Sequence, residues 1–147
     1  MLHSFLVDEF QIVVQKNESF RFYEIMTKFF RFYQCASIEK NKNNAINIQI
    51  NLIYLLYSFL NANYFKVFQC SNPNKEKYRL LLSELSEEYL YHINSHISNP
   101  YLTINPNLVI TQIQTFHELF SNHYKKIQNT LELLFCHDIT YAIMEYL

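Results

Sequence analysis

Residues Asn105–Tyr124 read NPNLVITQIQTFHELFSNHY. Asn105 is suited to cap a first helical turn, and Pro106 falls where a helix tolerates a missing N–H. Val109, Ile113, Phe116 and Phe120 recur at i, i+4, i+7 and i+11, and Leu108, Ile110 and Leu119 widen the apolar face. So wide a face needs cover on several sides. The stretch is expected to be the central helix of an all-α bundle.

Downstream, Lys125 and Lys126 suit a helix C-terminus. Ile127, Leu131, Leu134 and Phe135 then start another helix, and Asp138 caps a last short one carrying Ile139, Ile143 and Tyr146. Upstream, Tyr101–Ile104 forms an extended lead-in. Ser98-Asn99-Pro100 ends a helix from about Asn74 to Ile97, with Tyr78, Leu82, Leu85 and Tyr89 inward and Glu84, Glu87 and Glu88 outward.

Further back, Ile46, Ile48 and Ile50 alternate with polar residues, which is a strand signal. No second strand pattern exists to pair with it. The rows 46, 50, 53, 57, 60 and 52, 56, 59 fit a helix from about Ala45 to Asn61, and Tyr64–Phe68 adds a short continuation or a separate turn. Phe20–Cys35 carries two helical rows, Phe20/Tyr23/Met26/Phe30/Tyr33 and Phe22/Ile25/Phe29/Phe32, with Asn17 and Ser19 as candidate caps. Residues 1–16 read as a first helix rather than a docked arm. The sum is a single globular domain over 1–147, with six or seven helices.

At 147 residues the chain can bury about 68–70% of its unfolded surface, enough for a core without staples. Hydrophobic residues make up 50% and charged residues 17%, which excludes a disordered composition. A net charge of −1 with no basic stripe argues against nucleic acid as a partner. The absence of glycine removes phosphate-binding loops and dinucleotide fingerprints, and it leaves turns to Asn, Ser and Pro. Cys35, Cys70 and Cys136 form no paired framework, and no signal peptide or membrane anchor is evident. No apolar run approaches the ~20 residues of a bilayer span. The expectation is a cytoplasmic protein.

Few residues point to chemistry. His92 and His96 share a helix face at i, i+4, but no HExxH pattern accompanies them, and two surface histidines near a helix end are the plain reading. Cys136-His137-Asp138 are adjacent and point in different directions, so they cannot form a nucleophile–base pair among themselves. His117 and His123 border the apolar face of the opening helix. No pattern indicates an enzyme, and no cofactor is implied. What remains is a surplus of aromatic and isoleucine side chains on a weakly charged chain, which suits protein partners. The candidate faces carry Phe22, Phe29 and Phe32 on one helix and Ile110 and His117 on the other. The alternative is that these residues fill the core.

Four stretches resemble the poxviral Bcl-2-like family of intracellular host-defence inhibitors. Ser19–Tyr33 (SFRFYEIMTKFFRFY) looks like its early aromatic helix, and Leu52–Phe68 (LIYLLYSFLNANYFKVF) like its second long helix. Asn105–Tyr124 takes the place of its central helix, and Leu131–Leu147 (LELLFCHDITYAIMEYL) that of its closing pair. Ser121-Asn122 stands where that central helix often ends in Trp-Gly. The resemblance implies a Bcl-2-like fold and a non-enzymatic protein that binds host signalling or apoptotic proteins, in NF-κB activation or apoptosis. It also implies a homodimer and a groove floored by Ile110, Ile113 and His117. A second likeness, over Leu52–Leu60, Arg79–Glu87 and Tyr101–Ile139, is to the helical N-terminal domain of the large WD-repeat subunit of TFIID. That one implies a scaffold or dimerisation domain of a transcription complex.

Overall fold

The computed structural model describes residues 2–16, 22–63, 75–134 and 137–145. These form six α-helices and no strand: α1 (Leu2–Gln15), α2 (Phe22–Ala36), α3 (Lys42–Ala62), α4 (Lys75–Asn94), α5 (Pro106–Leu134) and α6 (His137–Met144). The all-α expectation therefore holds. The expected caps Asn17 and Ser19, and the Tyr64–Phe68 turn, lie outside the described residues.

The surrounded helix is α3, which corrects the expectation that Asn105–Tyr124 is central. Its Asn47, Ile48, Ile50, Leu52, Ile53, Leu56, Tyr57, Phe59 and Leu60 are all buried. Ile48 and Ile50 lie about 200° apart around a helix, so their joint burial means cover on opposite sides. The period-2 isoleucine pattern thus belongs to a helix packed nearly all round, against α1, α2 and α5. Each fully buried aliphatic side chain here contributes about 1.5–3 kcal/mol relative to exposure. By length and composition alone α3 also reaches the level of a membrane span. That corrects the reading that no such run exists: Asn and Gln interrupt the apolar residues, but no charge falls between Asn43 and Ala62. In this fold half of the stretch is taken up by the core.

The opening stretch forms the first two-thirds of a longer helix. Asn105 caps it as expected, its Oδ1 accepting from the Asn107 N–H at 3.0 Å. The helix does not stop at Lys125-Lys126. It runs on to Leu134, because nothing from Asn107 to Leu134 is Gly or Pro. Asp138 lies inside α6 rather than ahead of it.

Helix ends show how a chain without glycine terminates its turns. No described residue has a positive φ, so left-handed C-caps are not used. Side-chain donors satisfy the last carbonyls instead. Ser37 Oγ donates to Gln34 O at 2.6 Å, Ser95 Oγ to His92 O at 2.6 Å, and Asn63 Nδ2 to Phe59 O at 2.9 Å. At the start of α3, Asn41 Oδ1 accepts from the N–H groups of Asn43 and Asn44 at 3.0 and 3.2 Å.

Aromatic rings connect five helices through the core. Phe32 of α2 meets Phe10 of α1 (6.1 Å between centroids), Phe10 meets Phe29 (5.8 Å), and Phe29 meets Tyr33 (5.6 Å). Tyr33 continues to Tyr89 of α4 (5.5 Å), Tyr89 to Tyr57 of α3 (6.5 Å), Tyr57 to Phe116 of α5 (5.9 Å), and Phe116 to Phe120 (6.2 Å). Most contacts are tilted or edge-on, the arrangement favoured by ring quadrupoles.

Candidate functional site

The residues expected to face a partner separate into two groups. Phe22, Phe29 and Ile113 are buried in the core, so for them the core alternative holds. The cause is the period: α2 turns the row Phe22, Ile25, Phe29 inward, and α5 turns Val109, Ile113, Phe116 inward. Phe32 and Ile110 are half-buried against that core, and His117 is exposed.

Along the inward stripe of α5, cover falls off steadily. Val109, Ile113 and Phe116 are sealed, Phe120, Ile127 and Leu131 are half-buried, and Leu134 is 70% exposed beside Leu133 at 87%. The same apolar stripe runs on beyond the part of the bundle that covers it, and the short α6 packs against α5. Sequence reading missed this surface because it broke α5 near Lys125. The row 109, 113, 116, 120, resuming in register at 127, 131 and 134 after one skipped turn, was the available signal.

A second feature lies at the end of α4. His92 is on the last turn, and His96 falls in the turns after Asn94, its N–H donating to Ile93 O at 3.0 Å. The two rings stand 5.1 Å apart at 75°. His92 is half-buried, and its Nε2 is buried without a hydrogen-bond partner. Burial, with His96 next to it, pushes the His92 imidazole below its usual range, against an opposing pull from Glu88. Burial also raises the Tyr33 and Tyr57 hydroxyls to about 12, Glu88 adding to the effect on Tyr33. Tyr89 is raised by burial and then by Tyr33, Tyr57 and Glu88. Glu88 thus acts electrostatically on Tyr33, Tyr89 and His92 alike. No group of three or more His, Cys, Asp or Glu is gathered among the described residues in a way that could hold a metal. Cys35 is free and half-buried. Cys136 and the side chains of His123, His137 and Asp138 lie outside the description.

Polar side chains of α3 also organise the segment before α5. Asn47 Nδ2 donates to Tyr101 O at 2.8 Å, and its Oδ1 accepts from the Thr103 N–H at 2.8 Å. Asn51 Nδ2 donates to Thr103 Oγ1 at 3.2 Å. Asn61 Nδ2 holds α5 directly, through Gln112 O and Gln112 Oε1 at 2.9 and 2.7 Å.

Compared with known proteins, the chain matches no family model, no curated protein and no solved structure.

Proposed function

We propose that this chain is a non-enzymatic protein-interaction module. One observation carries that reading: the apolar stripe of α5 continues past its covered part to Leu134, with Leu133 alongside. Exposed leucines at the end of a long, otherwise packed helix suit a partner that completes the cover. Within that class, the reading is a Bcl-2-like inhibitor of host innate signalling or apoptosis, acting in the cytoplasm. The aromatic α2, the apolar second half of α3 and the long α5 support it, through the sequence likenesses that cover them. A scaffold domain of a transcription complex is the second reading. It rests on the likeness over Leu52–Leu60, Arg79–Glu87 and Tyr101–Ile139, the last of which contains α5.

The test is affinity capture of the tagged chain from host cells carrying an NF-κB reporter, beside a Leu134→Glu variant. Recovery of death-pathway or NF-κB adaptor proteins, with a reduced reporter signal lost in the variant, supports the first reading. Nuclear residence with histone-fold partners selects the second. Capture of neither class, or capture unchanged by Leu134→Glu, overturns the proposal.

A further inference from the structure

We infer that His92 and His96 together chelate one divalent late transition-metal ion, of the zinc and copper class. Two imidazoles that hold one ion through nitrogens at about 2.0–2.1 Å, in tetrahedral or square geometry, place their ring centres about 4.5–5.2 Å apart. The observed separation of 5.1 Å falls in that range. The two ring centres are therefore spaced as a shared ion requires.

The backbone between them is already fixed. Ser95 Oγ donates to His92 O at 2.6 Å, and the His96 N–H donates to Ile93 O at 3.0 Å. Holding both ligands on one closed turn reduces the ordering cost of binding. His92 Nε2 has no hydrogen-bond partner, so a ring nitrogen stands without the contact that a buried polar atom normally has. Glu88, one turn back on α4, acts electrostatically on His92, and its charge offsets that of a bound cation. No third protein ligand is gathered among the described residues, so the ion binds as the half-buried His92 ring turns its Nε2 outward, and water fills the remaining positions. Such a site selects ions that prefer imidazole and rejects Mg2+, which prefers oxygen.

Titration calorimetry of Zn2+ into the full chain, at about one pH unit above the free imidazole pKa, tests this, with Mg2+ as control. One Zn2+ should bind per chain and raise Tm, since an ion bound only by the folded state stabilises it. Mg2+ should do neither. His96→Ala should weaken Zn2+ binding by about tenfold or more and abolish the metal-dependent rise in Tm. His96 lies beyond the helix end, so the variant should keep the metal-free Tm, and its folding is read in the same melt. His92→Ala is the matching variant. Absence of saturable Zn2+ binding, or Zn2+ affinity in His96→Ala equal to the parent's, overturns the assignment.

Discussion

The Tyr57 hydroxyl donates to Ser86 Oγ at 2.9 Å. The direction follows from proton counting: Ser86 has one hydroxyl proton and gives it to Leu82 O at 2.7 Å. Both residues are buried. The relay joins the core helix α3 to α4 in the middle of the aromatic chain, and every group in it has a partner.

Removing either end of that relay should have unequal effects. Tyr57→Phe deletes the donor and leaves Ser86 bonded to Leu82, at a cost of about 0.5–1.5 kcal/mol. Ser86→Ala leaves the Tyr57 hydroxyl buried and unpaired, at a cost of about 1–3 kcal/mol. The double variant should resemble Tyr57→Phe, because no orphan group is left. Urea melts measure all three, and a Tyr57→Phe cost larger than that of Ser86→Ala would contradict the proton assignment.

The same burial sets a limit in alkali. An unfolded tyrosine ionises near pH 10, whereas Tyr33 and Tyr57 are held up at about 12. Between those values the unfolded chain releases protons that the folded chain retains, so unfolding is favoured. Stability should be fully present below about pH 10 and fall as pH rises toward about 12. Melting curves across that window, with phenolate absorbance read in parallel, test this. The slope should be shallower in Tyr57→Phe.

Asn47 should act as a fastener rather than as a packing residue. Its amide pairs with a carbonyl and an N–H of the segment before α5, two residues apart. Asn47→Ala frees both and leaves Asn51 with its weaker hold on Thr103. A loss of about 1–3 kcal/mol is expected. It should be accompanied by faster amide exchange at Thr103, while exchange in the middle of α3 slows or quickens only with global stability. Unchanged protection at Thr103 would mean the segment is held by Leu102 and Ile104 instead.

The helices and their inward rows were legible because burial selects residues by period. Leu82, Leu85 and Tyr89 needed only spacing to be placed. The centre of the bundle was not legible, since a helix covered on all sides loses its amphipathic contrast. Ile46, Ile48 and Ile50 consequently carry a strand-like alternation, and only the helical rows that continue to Leu60 identify the helix, while Asn105–Tyr124, with its clear stripe and cap, looked more central than it is. Polar pairing was hidden for a different reason. Asn47 and Tyr101 are 54 positions apart, and no local pattern signals such a pair. Of the candidate surface, Phe22, Phe29 and Ile113 looked like surplus because the number of neighbours able to cover them is a property of the fold.

Phe29 and His117 separate the two fates of those candidates. Phe29 is fully buried and touches Phe10, Phe30, Tyr33 and Tyr89, with centroids at 5.8, 5.6, 5.6 and 6.0 Å. Phe29→Ala removes the ring that links α1 and α2 to α4 and opens a cavity in the aromatic chain. The expected cost is about 3–5 kcal/mol, a large share of the total stability of a domain this size. Phe29→Leu keeps most of the volume and should cost clearly less. His117 is exposed on α5, and His117→Ala should leave stability within about 0.5 kcal/mol. Denaturant melts of the three variants give the order directly. A mild Phe29→Ala would mean that α2 does not seal the core, and the Phe22, Phe29, Phe32 row would return as a face for partners.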